Sequence, residues 1–169
     1  MLAFRLLAHA ELEGFFEFCA ETLTDHLSTK NDAGRLKPAT QKRLVLHANM
    51  VAQYPPKSLT FALLPKMRTT IKGMLSSQTA AIASNNGVSE KDVLKLFVPL
   101  GCEMSFFDHA WLSSLNDLAH ARGDVAHQSS NSMSAIYQPT PEAERSRLVR
   151  PLWGTKNLVD ELLKLQRSA

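Results

Sequence analysis

The sequence predicts an all-α fold, an antiparallel bundle of about five or six helices. Three observations carry that expectation. Apolar residues recur at helical spacing in several long stretches, prolines and glycines punctuate the chain between those stretches, and the alternation of apolar and polar residues expected of strands is absent.

The first helix is expected over about Leu2–Leu27. Phe4, Leu7, Glu11 and Phe15 lie three or four apart, and Phe18, Leu23 and Leu27 extend a broad apolar face. Asn31-Asp-Ala-Gly34 then reads as a turn, and Pro38 opens a second helix through about Ala52. Tyr54-Pro-Pro-Lys57 breaks the chain. A third helix spans about Leu59–Ala83, with Pro65 expected to kink or split it. Asn85-Asn-Gly87 closes it in the manner of a left-handed cap. Ser89-Glu-Lys-Asp92 is a capping box with Asp in place of Glu, starting a short helix through Phe97 that Pro99-Leu-Gly101 ends. The next helix runs from about Ser105 to His127, and the Ser/Asn-rich segment Gln128–Ser134 reads as a loop. Thr140-Pro-Glu supplies an N-cap and a first-turn proline for a final helical region to Leu165, which Pro151 and Gly154 are expected to divide.

Composition narrows the class. At 169 residues the chain suits one domain, read here as residues 1–169. Hydrophobic residues at 44% and charged residues at 21% are the proportions of a globular protein rather than of a disordered or fibrous one. Cys19 and Cys102 stand far apart with no ligand-spaced His or Cys near them, which argues against a zinc site and a disulfide scaffold and suits free thiols in a reducing cytoplasm. Glu11, Glu13 and Glu17 interrupt the apolar N-terminus well before the ~20 residues a membrane span requires. No small-residue cleavage site follows an uninterrupted apolar core, so no signal peptide is expected. The predicted location is the cytoplasm, with no membrane partner.

The net charge of +3 and pI near 9.0 permit nucleic-acid binding without demanding it. The positive residues fall in clusters: Lys30, Arg35, Lys37, Lys42 and Arg43, then Lys57, Lys66, Arg68 and Lys72, then Arg145, Arg147 and Arg150. A phosphate backbone could meet several of them if the fold gathered them on one face.

The helix before His127 carries the chemistry. At 100° per residue, Trp111, Leu115, Leu118, Arg122 and Val125 fall within about 40° of one stripe centre. An arginine thus stands where a leucine belongs. Such a position calls for a carboxylate across the bundle, Glu11 or Glu13 of the first helix, or for an anionic ligand in a groove. His109, Asn116, His120 and His127 share the opposite face. Their spacing makes no metal-ligand pattern, so polar surface is the expected reading and no metal or cofactor is anticipated. His127 closes the helix, where the dipole favours a protonated imidazole suited to acid–base work or to capping the last carbonyls.

Ala121-Arg-Gly-Asp-Val-Ala-His127 resembles the Arg-x(4–6)-His signature of HEPN domains, in the Arg-Gly-x-x-Ala-His form of the branch named for its link to RNA-ligase operons. Three further segments resemble that branch in the same order: Leu6-Leu-Ala-His-Ala-Glu-Leu-Glu13, Asn85-Asn-Gly-Val-Ser-Glu-Lys-Asp-Val-Leu-Lys95 and Phe97-Val-Pro-Leu-Gly101. The resemblance implies a four- or five-helix bundle, a homodimer, and a metal-independent endoribonuclease with catalytic Arg122 and His127. Many members have a polar residue directly after the arginine; here Gly123 stands there and Asp124 follows, the third implied catalytic residue. Some HEPN proteins instead serve as inactive dimerisation or binding modules, and both kinds occur with toxin–antitoxin or RNA-repair partners. RNA carries its own nucleophile in the 2′-hydroxyl. Its cleavage therefore asks for a base, an acid and positive charge at the phosphorus, which one histidine and one arginine can share.

Overall fold

The structure, a computed structural model, is described for residues 2–51, 64–127 and 140–169, with side chains described at 3–47, 66–123 and 140–169. The expected breaks at Tyr54–Lys57 and Gln128–Ser134 lie outside these residues. Six helices follow in order: α1 Leu2–Asp32, α2 Pro38–Val51, α3 Leu64–Ala83, α4 Glu90–Phe97, α5 His109–His127 and α6 Pro141–Ser168, with a 3₁₀ turn at Met104–Phe106 before α5. Among the described residues there is no strand. Among the described residues no helix is long and apolar enough to cross a membrane.

α1 is the spine, packing against α3, α4, α5 and α6. Its inward face differs from the expected one. Leu12, Phe16, Ala20, Leu23 and Leu27 are buried together with His9, whereas Phe4, Leu7, Phe15 and Phe18 face outward. Apolar residues occur all around this helix, so their spacing alone does not select the side that the other helices cover. Phe16 sits at the centre with its ring edge-on to both Phe97 and Trp111, at 6.3 Å between centroids in each case.

Helix ends explain most of the boundaries. Ser89 opens α4, its backbone N–H and hydroxyl both donating to Asp92 Oδ2 at 3.0 and 2.6 Å, so aspartate fills the capping-box position as expected. Asp108 opens α5 by accepting the Ala110 N–H at 2.9 Å, a few residues later than the expected start. Thr140 caps α6 through its hydroxyl, with Pro141 following. Pro65 is the second described residue of α3, and the stretch before Leu64, where the expected kink or split would show, lies outside the described residues. Gly34 and Gly101 carry positive φ, at 68° and 101°, and end α1 and the α4 turn. Gly87 does not. The left-handed cap expected there is replaced by a steric demand, since a Cβ at Gly87 would stand 2.5 Å from Asp92 Oδ2.

Two basic residues of the expected clusters close helix C-termini and a third bonds to the turn after α4. Arg68 Nη2 donates to the carbonyls of Asn31 and Asp32 at 3.1 and 2.7 Å, Lys37 Nζ to Arg167 O at 3.0 Å, and Arg43 Nη1 to Gly101 O in the turn at 3.3 Å. The first two place a cation on carbonyls in the last turn of a helix.

α6 is one helix through Pro151 and Gly154 rather than two. Trp111 packs against both residues and gives the reason for the glycine. Its indole N–H donates to Pro151 O at 3.0 Å, and its ring occupies the space over Gly154, where an added Cβ would lie 2.0 Å from Cδ1. Phe107 stacks on the same indole at 6.4 Å. Gly154→Ala should therefore lower stability by about 1–3 kcal/mol through overpacking. Denaturant unfolding of the variant checks this, and unchanged stability would mean that the indole shifts aside without cost.

Candidate active site

Arg122 lies on the last turns of α5, half-buried, in the stripe that continues from Trp111, Leu115 and Leu118. Its Nη1 donates to the Asn86 carbonyl at 3.2 Å. Among the described residues no carboxylate stands within ion-pair distance of it. The turn that receives the guanidinium is itself fixed. Asn85 Nδ2 donates to Glu17 Oε1 at 2.9 Å and to Gly87 O at 3.1 Å, while Asn85 Oδ1 is buried with no protein partner among the described residues. Gly87 gives way to the Asp92 carboxylate, and Asp92 is held by Ser89.

α1 brings a second pair to the same place. His9 is 2% exposed, and its Nδ1 lies 3.3 Å from Glu13 Oε2. Burial depresses the His9 pKa, and the nearby Arg122 charge depresses it further, against a weaker opposite pull from Asp92. The Glu13 carboxyl is pushed up, first by burial, with Arg122 opposing and Glu17 and Asp92 adding. Arg122 thus acts electrostatically on both members of the pair. Of the two carboxylates expected near it, Glu13 faces this cluster and Glu11 is exposed on the outer side of α1.

An ion pair not anticipated from the sequence secures the surroundings. Arg5 donates through Nε to Glu144 Oε2 at 3.0 Å and through Nη2 to Glu144 Oε1, and its Nη1 reaches Ala121 O at 3.5 Å. Glu144 is 2% exposed and also lies 3.5 Å from Arg147. The Arg5 hydrogen bonds hold its carboxyl below the ordinary range despite burial. One bidentate pair therefore ties the starts of α1 and α6 to the backbone beside Arg122. The only sequence signal was the position of Glu144 in the first turn after the Thr140 cap.

The α5 backbone is helical through Gly123 to His127. The side chains of Asp124, Val125 and His127 lie outside those described. His109 and His120 are exposed, while Asn116 turns to α4, where it accepts the Glu90 N–H at 2.9 Å and donates to Glu90 Oε2 at 3.2 Å. Among the described residues no group of three His, Cys, Asp or Glu could hold a metal ion. Cys19 and Cys102 are free, their thiols pushed up by burial to about 11 and about 12.

A helical bundle whose last motif helix presents an arginine to a polar cluster, five residues before a histidine, defines a HEPN domain. The RiboL-PSP-HEPN family model matches residues 3–142, so the chain belongs to that family. Comparison with curated proteins and with solved structures returned no match. Two of the segments that resemble the family meet at Arg122, those around His9–Glu13 and Asn85–Asp92. The third, Phe97–Gly101, belongs to the packing beneath, with Phe97 and Leu100 buried.

The His9 pKa has a consequence for stability. A folded value below the ordinary ~6.5 means that the unfolded chain takes up the proton first. Its contribution is complete above pH ~6.5 and declines as pH falls from there through the folded value. His47, also depressed by burial, has the same sign. Denaturant unfolding between pH 7 and 5.5 should show a loss of stability that His9→Gln reduces. An equal loss in wild type and variant would contradict the assignment to His9.

Proposed function

We propose that the chain is a metal-independent endoribonuclease, all 169 residues forming one domain, in which Arg122 binds the scissile phosphate and His127 moves the proton. The observation that carries this reading is Arg122 itself, set in an apolar stripe, held by a carbonyl, and matched by no carboxylate at ion-pair distance among the described residues. A phosphate is the partner such a guanidinium suits. In the reaction a base takes the 2′-hydroxyl proton, the 2′-oxygen bonds to phosphorus, and the bond to the 5′-oxygen breaks as that oxygen gains a proton. The products are a 2′,3′-cyclic phosphate and a 5′-hydroxyl. Asp124 is the third polar group of the proposed site. No metal is required, because the nucleophile belongs to the substrate. A toxin–antitoxin, defence or RNA-repair setting in a prokaryote is the context proposed.

Arg122 and His127 stand about 140° apart around a helix and roughly 7.5 Å along it. α5 is helical through Gly123, which lends no support to a bend there that would turn both toward one phosphate. This favours a two-fold dimer in which each cleft takes residues from both protomers. The alternative is an inactive dimerisation or RNA- or protein-binding module.

Purified protein should cleave labelled RNA but not DNA, equally with and without EDTA. Arg122→Ala, His127→Ala and the double variant should show similar residual rates, because both residues act on one transition state. Activity lost on chelation and restored by a divalent ion would sink the mechanism, and no cleavage under any condition would leave the binding module. Mixing Arg122→Ala with His127→Ala under subunit exchange should regain activity from heterodimers. No recovery despite demonstrated exchange would place the site within one chain.

A further inference from the structure

α6 extends beyond the residues matched by the family model, so the surface it presents is not one that the family defines. The chain has two tryptophans, and they behave oppositely. Trp111 is 3% exposed and locked into the core, whereas Trp153 is 64% exposed on the middle of α6. Val149 and Leu152 beside it are exposed as well, at 46% and 54%, so this stretch of α6 presents an apolar patch rather than one isolated side chain.

Beside Trp153, between α6 and the start of α5, opens a cavity of about 180 Å³. Phe106 and the edge of Trp111 form its apolar wall, and Asp108, Arg150 and Asn157 supply its polar groups. Arg150 and Asn157 make no hydrogen bond or ion pair with the described residues, while one oxygen of Asp108 holds the Ala110 N–H. Lys156 Nζ lies 5.9 Å from the Trp153 ring centroid and adds a second positive charge at the rim. The cavity is smaller than a drug-sized ligand requires and gives room for a single planar ring. Flat aromatic surface, hydrogen-bonding groups at its margin and cations on the same helix are the complement of one unpaired nucleotide, its base on the indole and its phosphate on Arg150.

We propose that Trp153, Arg150 and Asn157 form a subsite for an unpaired base of single-stranded RNA. The proposal rests on the RNA-binding part of the function proposed above, and not on its chemistry. Asp108 and Arg122 are separated by roughly 21 Å along α5, so the two sites are independently mutable.

The probe is a short unstructured 2′-O-methyl oligoribonucleotide, which has no free 2′-hydroxyl and is not cleaved. Both indoles border the cavity, so quenching of tryptophan fluorescence reports binding there, and the part of the quenching lost in Trp153→Phe belongs to Trp153. The wild-type signal should be quenched. Affinity by anisotropy should fall roughly five- to hundredfold in Trp153→Ala, the range for loss of one stacked base, and be largely retained in Trp153→Phe. Arg150→Gln should weaken binding and lower the salt dependence by about one charge. Binding without quenching, or equal affinity in Trp153→Ala, would overturn the subsite. So would loss of dimer in Trp153→Ala with RNA affinity unchanged, which would make the surface a protein interface. Trp153-dependent binding without cleavage of ordinary RNA would count against the nuclease alone, cleavage without Trp153 dependence against the subsite alone, and absence of binding against both.

Discussion

The hydrogen bond from the Trp111 indole to the Pro151 carbonyl sets the register on which the site depends. Gly154, one turn further on, leaves the slot that the same indole fills, so α6 lies close against α5 here. Seven residues before Pro151 on α6, that register delivers Glu144 to Arg5. Arg5 in turn stands one turn before His9. α5, α6 and α1 are thus held together at both ends of α5, at Trp111 and beside Arg122.

Around Arg122 the charges are unequal in what they can do. Glu17 is engaged by Asn85 and Asp92 by Ser89, so their charge is drawn toward hydrogen bonds within the turn. Burial pushes the Glu13 carboxyl up toward its protonated form and pushes His9 down toward its neutral form. A leucine-like setting and a carbonyl partner restrict the motion of the Arg122 guanidinium without cancelling its charge.

Much of the bundle was legible from residue spacing, and the failures have physical reasons. Caps were read well at Ser89 and Thr140, because a cap is a local event between residues three apart. The inward face of α1 was misread at Phe4, Leu7, Phe15 and Phe18, since the choice among several apolar sides is made by distant helices. Pro151 and Gly154 looked like breaks because the residue that packs against them, Trp111, is forty residues away. At the site, Arg122 stood out as a charge in an apolar stripe. The bond to a backbone carbonyl, the Arg5–Glu144 pair and the burial of His9 did not, because each joins parts of the chain that only tertiary packing brings together.

The cations that bond to backbone carbonyls change how the charge of this protein should be read. Lys37, Arg43 and Arg68 each donate to such carbonyls while remaining exposed, so part of their hydrogen-bonding capacity is committed to the fold. Lys42, Lys66 and Lys72 are equally exposed and make no such bond among the described residues. A modification that erased the charge of Lys37 would then act on the fraying of α6 before it acted on affinity for a polyanion. Net charge, a single number for the whole chain, hides a division between cations that hold the molecule together and cations that it offers to its surroundings.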